Sequence, residues 1–210
     1  RGMGFRDSNQ DTLGFVHQIP KEVKQRIIDI ASTQFEEGDA HHQYSPLFKK
    51  GNGRGYSDDH LWLILSVASY IKETGDVAFL KEPIPFESGK TAPMYEHLVR
   101  AVEYSRTHTG PHGLPLMGFA DWNDCLNLGT RKNRAESVLV AQMLVATSRE
   151  LANLAELLGK KKDADKYRKV AADFAGRTNK YAWDGEWYRR GYTDDGDPVG
   201  SKKNTEGKIY

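Results

Sequence analysis

Residues 57–76 read SDDHLWLILSVASYIKETGD, and this stretch decides the fold class. From His60 onward it is apolar nearly all round, too long for a strand and too uniformly apolar for a surface helix, so it predicts a helix buried on most sides. Ser57 or Asp58 offers the N-cap and Gly75 the stop. A helix of this kind needs other helices packed around it.

The chain supplies them on both sides. Residues 21–37, KEVKQRIIDIASTQFEE, bring Val23, Ile27, Ile30, Ala31 and Phe35 to helical spacing between Pro20 and Gly38, which predicts an amphipathic helix. Residues 93–108 repeat the form with Leu98, Ala101, Val102 and Tyr104, and two longer patterns rich in Ala, Leu, Lys and Glu cover 134–158 and 161–181. Residues 38–57 hold Gly, Ser, Asn and a Pro and predict a long loop, and loops of that length are commonly functional. EWYRRGY (186–192) and GKIY (207–210) suit strands or turns. The fold class is therefore all-α: helices packed as antiparallel hairpins, which in a ring make a barrel with a pit at one end.

Thirty basic and 29 acidic side chains are interspersed along the 210 residues, so the chain lacks the one-sided basic field of a nucleic-acid binder. No apolar run approaches the roughly 20 residues that span a bilayer, and the N-terminus lacks the apolar stretch of a signal peptide. The single cysteine, Cys125, cannot form an internal disulfide, which points to a reducing, cytoplasmic setting. The abrupt charged start and the stop at NTEGKIY predict a segment of a longer protein.

The chemistry gathers in the loops. LPLMGFADWNDCLNLG (114–129) sets Asp121 and Asp124 around Trp122 and Asn123, between glycines. A carboxylic acid partly desolvated beside an aromatic wall is tuned toward general acid work, and an indole offers a flat face to a sugar. The alternative is structural, with Asp121 capping the next helix, Trp122 plugging the core and Asp124 solvated. RGMGFRDSNQD (1–11) alternates guanidinium, carboxylate and amide groups, Arg1, Arg6, Asp7, Asn9, Gln10 and Asp11, which suit a polyhydroxylated ligand, and Gly2 and Gly4 allow backbone close to it. A surface ion-pair network involving Arg6 and Asp7 is the structural alternative. In YSDDHLW (56–62) an N-cap followed by core aromatics is favoured. His41 and His42 are adjacent and lack an acidic partner at helical spacing, so no metal site is expected. GNGRG (51–55) lacks the Lys-Ser/Thr of a phosphate loop, and Lys160–Lys162 reads as a solvated helix start.

GFRDSNQDTLGFVHQIP, IIDIASTQF, SDDHLWLILSVASYIKETGD, THTGPHGLPLMGFADWNDCLNL and WDGEWYRRGYTDDGDPVGSKKNTEGKI together resemble, in order and over essentially the whole chain, the cellobiose phosphorylase group of inverting disaccharide phosphorylases, glycoside hydrolase family ninety-four. The resemblance implies that residues 1–210 are part of a single (α/α)6 barrel catalytic domain. It further implies a β-sandwich domain before it, a C-terminal part of the barrel outside this chain, and a homodimer for the whole protein. It implies reversible phosphorolysis: cellobiose and inorganic phosphate, the co-substrate, give α-glucose 1-phosphate and glucose, with no cofactor and no metal. By position in the motifs, Asp124 matches the general acid; Trp122, Arg1 and Asp7 match residues that hold the donor sugar, and Arg6 stands beside them in the same motif. Another β-linked disaccharide or a cellodextrin is the alternative substrate, and a non-catalytic carbohydrate-binding helical fragment the alternative function. The chain departs from the family in three ways. It lacks the region that carries the acceptor-site Glu and Lys and the phosphate-site His and Thr. His60 stands where Pro is common, and the loop after residue 129 is short. The segment alone is expected to be inactive.

Overall fold

The computed structural model describes residues 2–208, so Arg1, Ile209 and Tyr210 lie outside the described residues. In its first half the chain runs β1 (Met3–Gly4), α1 (Phe5–Phe15), α2 (Pro20–Ala31), β2 (His41–Ser45), β3 (Lys50–Arg54) and α3 (Asp59–Thr74). There follow a 3-10 turn (Val77–Lys81), β4 (Pro83–Pro85), β5 (Thr91–Pro93), α4 (Met94–Thr107), β6 (Glu136–Ser137), α5 (Val138–Leu157), α6 (Lys161–Ala182), β7 (Gly191–Tyr192) and β8 (Pro198–Val199).

The helix expected to be buried all round is α3. Leu61, Leu63, Ile64 and Val67 have no exposed surface. Gly75 closes the helix in the left-handed region, at φ 71°, where its N–H donates to the Ile71 carbonyl. Helices α1 and α5 flank α3, while α2 packs on α1, α4 on α3 and α5, and α6 on α5. The result is three consecutive helical hairpins side by side around one core. Arg6 in the first turn of α1 meets Asp58 at the start of α3, and Ser137 at the start of α5 meets Asp121, so the N-termini of α1, α3 and α5 converge at one end. No helix among the described residues is long and apolar enough to cross a membrane.

Several boundaries differ from the expectation, each for a physical reason. Helix α2 stops at Ala31 rather than reaching residue 37, because the Ser32 and Thr33 hydroxyls donate to the Ile28 and Ile30 carbonyls and turn the chain. Residues 38–57, expected as loop, contain the β2–β3 hairpin, and β1 pairs with β2 with Met3 opposite Tyr44. Helix α1 has no counterpart in the sequence reading; its buried residues are Phe5, Arg6, Asn9 and Thr12, a helical stripe that is mostly polar. Helix α5 begins at Val138, after β6, with Ser137 as its cap: the Ser137 hydroxyl accepts from the Val140 N–H at 3.1 Å. Within EWYRRGY, Gly191 and Tyr192 form β7, which pairs with β6 and β8. The described residues are thus helix-rich, with three small antiparallel sheets among them. Strand β1 runs straight into α1 and β6 into α5, so two of these sheets brace the end where the helix N-termini meet.

Truncating α3 is expected to cost far more than trimming the surface. Ile64→Ala should lower stability by about 2–5 kcal/mol through transfer loss and cavity formation, whereas exposed Gln25→Ala should change it by no more than about 0.5 kcal/mol. Urea unfolding of both variants checks this through the shift in midpoint at constant slope.

Candidate active site

The loop of residues 118–135 is held onto the entry to α3. The Phe119 N–H donates to the Gly55 carbonyl and the Ser57 N–H to the Ala120 carbonyl, both at 2.9 Å. That approach requires glycine at 118, where φ is 62° and a Cβ would lie 2.3 Å from the Gly55 carbonyl oxygen. It also requires glycine at 129, where a Cβ would lie 2.6 Å from the Gly118 carbonyl oxygen. Within the loop, the Asn123 N–H donates to Asp121 Oδ1 and the Cys125 N–H to Asn123 Oδ1. These Asx-type turns account for the Asp/Asn cluster and fix the direction in which Asp124 leaves the loop.

The two aspartates of ADWND are put to different uses. Asp121 is fully buried and accepts from the Arg190 guanidinium, from the Ser137 hydroxyl at 2.5 Å and from the Asn123 N–H at 3.0 Å. Its hydrogen-bonding capacity is spent inside the protein. Asp124 keeps 49% of its side chain exposed, with Oδ1 accepting from Arg6 Nη2 at 2.7 Å. Trp122 is 52% exposed, so the indole does not plug the core. Asp124 is therefore a surface carboxylate tied to a buried cation, not the desolvated acid that the sequence suggested.

Arg6 is only 5% exposed and directs its donors at protein groups. Nη1 reaches the Asp58 carboxylate at 3.3 and 3.4 Å and the Asp121 carbonyl at 3.3 Å, Nη2 bonds Asp124, and Nε lies 3.7 Å from Asp7. Burial works against the charged guanidinium, but the Asp124 hydrogen bond and the Asp58 and Asp59 charges outweigh it, and its proton is held more firmly than in free arginine. Asp7 is 69% exposed in the first turn of α1, and the space for it is made by Gly4, where a Cβ would meet Asp7 Oδ2 at 2.7 Å. Gly4 thus serves Asp7 directly. Arg1 lies outside the described residues.

The segment YSDDHLW contributes more than a cap. Asp58 holds the N-cap position of α3, yet its buried carboxylate makes no cap bond and instead accepts from Arg6 and, at 2.9 Å, from Trp62 Nε1. Burial pushes its proton affinity up, partly offset by Arg6. Asp59 is buried beside it, with its carboxyl pushed up to about 6 by burial despite the His42 ring nitrogen 3.1 Å away. That bond in turn raises His42, which lies flat on Tyr56 with ring centroids 3.7 Å apart. His60 is a core histidine, driven down to about 3 by burial, with Nε2 2.7 Å from the Ser105 hydroxyl. His41 packs against Phe35. Among the described residues no group of three or more His, Cys, Asp or Glu is placed to hold a metal ion. Arg54 of GNGRG pairs with Asp39. Asp58, Asp59, His42 and Arg190 belong to this cluster without having been singled out as site residues; the doubled aspartate before an apolar helix was the available signal for the first two.

The far side of the loop is anchored by Asp194. Its buried carboxylate accepts from the N–H groups of Arg131, Lys132, Arg134 and Ala135 at 2.7–3.1 Å, and Asp195 pairs with the side chains of Arg131 and Lys132. Burial acts to raise the Asp194 carboxyl, but those four amides win and hold it down at about 2.

With this geometry in view, comparison with known proteins identifies the chain. Residues 1–210 match the glycosyl hydrolase 94 superfamily, catalytic domain, and the chain belongs to that family. Over 236 aligned residues it is 32% identical to N,N'-diacetylchitobiose phosphorylase of Vibrio proteolyticus, an alignment that covers all of this chain and 29% of that protein. It is 36% identical over 211 residues to solabiose phosphorylase of Paenibacillus borealis, covering all of this chain and 27% of that protein. The chain thus spans less than a third of the curated relatives it matches. Among solved structures, a rhamnosidase from Klebsiella oxytoca with rhamnose bound superposes with a TM-score of 0.66 at 16% identity, over 90% of this chain and 35% of that one, a likeness of fold. The family is the one the sequence motifs indicated. The relatives are named for disaccharides other than cellobiose.

Asp194 makes the loop sensitive to acid. Its carboxyl sits near 2 in the folded protein and near about 3.9 when unfolded, so its contribution is present above about pH 4 and lost as pH falls through about 2. Thermal unfolding across that interval should show stability declining with acid, and Asp194→Asn should be less stable at neutral pH with a shallower acid decline. An identical decline in the variant would contradict the anchoring role.

Proposed function

We propose that this chain is the part of an (α/α)6 barrel that carries the acid of a reversible, inverting phosphorolysis of a β-linked glucose disaccharide, with cellobiose the first candidate substrate. In the cleavage direction a phosphate oxygen bonds to the anomeric carbon, the glycosidic C–O bond breaks, and Asp124 gives its proton to the departing oxygen. In the synthetic direction Asp124 takes that proton back. The products of cleavage are α-glucose 1-phosphate and glucose.

The observation that carries the reading is the separation of Asp124 from the other carboxylates of its cluster. Asp58, Asp59 and Asp121 are fully buried and bonded within the protein. Asp124 is half exposed, and among the described residues no hydrogen bond reaches its Oδ2. That oxygen is available to a ligand. The exposed Trp122 supplies a face for a pyranose ring and exposed Asp7 an acceptor for its hydroxyls, and Arg1 is assigned to the same sugar by its position in the motif alone. A single acid is enough for phosphorolysis, because phosphate arrives as an anion and needs no carboxylate to activate it, unlike the water of an inverting hydrolase. Arg6 acts through Asp124 and not on the sugar. Membership in a family whose matched relatives are named as phosphorylases supports the reaction class.

In the natural full-length protein, Asp124→Asn should reduce phosphorolysis by about 100- to 10,000-fold, the usual worth of a positioned general acid, with the circular dichroism spectrum unchanged. A variant that keeps most of its turnover would place the acid elsewhere.

A further inference from the structure

The proposed acid stands on an exposed loop, yet its carboxylate is tied to the protein interior through two buried groups, Arg6 and Asp58. We infer that Asp58 and Arg6 form a positioning clamp for Asp124: the buried Asp58 carboxylate fixes the guanidinium, and the guanidinium fixes Oδ1 of Asp124 so that Oδ2 faces the ligand. The inference rests on the reading of Asp124 as the residue that carries the proton.

The geometry has the features of a clamp. Arg6 Nη2 makes its short bond to Asp124, at 2.7 Å, while Nη1 is held by the Asp58 carboxylate and the Asp121 carbonyl at 3.3–3.4 Å. The planar fork therefore joins α1, the start of α3 and the acidic loop in one unit, which a flexible ammonium could not do. Asp58 is itself fixed from behind by Trp62 Nε1 at 2.9 Å, and it leaves the α3 amides without the side-chain cap that its position offers. A buried carboxylate that forgoes its cap in order to face an arginine is committed to that arginine.

The clamp also sets the charge around the proton carrier. The buried Asp58 carboxylate neutralises part of the Arg6 cation that faces Asp124. The other groups facing this cluster are Asp7 on α1, Asp59 in the first turn of α3, His42 on β2, and Tyr56 beside the loop, with Arg190 on the far side bonded to Asp121. Substituting either Arg6 or Asp58 should therefore lower turnover without weakening sugar binding.

The test is steady-state phosphorolysis by the full-length protein between about pH 5 and pH 9, for the natural protein and for Arg6→Gln, Arg6→Lys, Asp58→Asn and Asp124→Asn, each with its thermal unfolding curve. In Arg6→Gln and Asp58→Asn, kcat should fall by about 100-fold, the cost of a misplaced reacting group, while KM for the disaccharide stays within about threefold. Arg6→Lys, which keeps the charge and loses the fork, should not restore kcat, and it reads the clamp even if Asp58→Asn fails to fold. A kcat that stays within about threefold of the natural protein in Arg6→Gln and Arg6→Lys, or a KM that rises as far as kcat falls, would overturn the clamp. Persistent activity in Asp124→Asn would instead overturn the assignment of the acid, and the two failures are distinguishable.

Discussion

The structure turns on one buried cation. Arg6 is enclosed where the first turns of α1 and α3 meet the acidic loop, and it holds Asp58 and Asp124 together. Removing one partner of such a pair leaves an uncompensated charge and costs about 3–5 kcal/mol, so the loop and the helix ends are not independently adjustable. The three helices whose N-termini converge here each present the positive end of a backbone dipole, worth about half a charge. Those dipoles help explain how Asp58, Asp121 and Asp124 are tolerated so close together with two cations, Arg6 and Arg190, bonded to them.

Four aspartates that look alike in sequence behave differently because their surroundings differ. Asp121 is saturated by Arg190, Ser137 and a backbone amide and serves as masonry. Asp59 shares a hydrogen bond with His42 in a site that resists ionisation. Asp58 steadies Arg6, and Asp124 alone reaches solvent. Acceptor saturation and burial, more than residue type, separate a structural carboxylate from one available to a substrate. In the proposed reaction this separation is what phosphorolysis needs: one accessible acid, with the nucleophile supplied from solution.

Much of this was legible in the chain. The apolar run from His60 named the buried helix, and Gly75 ended it as expected, because solvent exclusion and glycine's access to positive φ are local properties of the sequence. The ADWND segment announced itself through residues that a loop has no structural reason to combine. What was not legible depended on long-range partners. Helix α1 was missed because its buried stripe is Arg6, Asn9 and Thr12, polar residues whose burial is decided by partners such as Asp58 and Asp124, more than fifty and a hundred positions away. Separation along the chain likewise concealed Arg190 as the partner of Asp121 and Asp58 as a partner of Arg6. Helix α2 is shorter than its apolar periodicity predicts because Ser32 and Thr33 bond back to the helix carbonyls, which periodicity does not register.

The proposed reaction is a phosphate-dependent cleavage that inverts the anomeric centre, assisted by one acid. The most direct measurement is proton nuclear magnetic resonance of the full-length protein acting on cellobiose and related β-linked disaccharides, with and without inorganic phosphate, following the first anomeric product. The account predicts an α-glycosyl 1-phosphate that appears only when phosphate is present. A free sugar released at the same rate without phosphate, or a β-configured 1-phosphate, would contradict it.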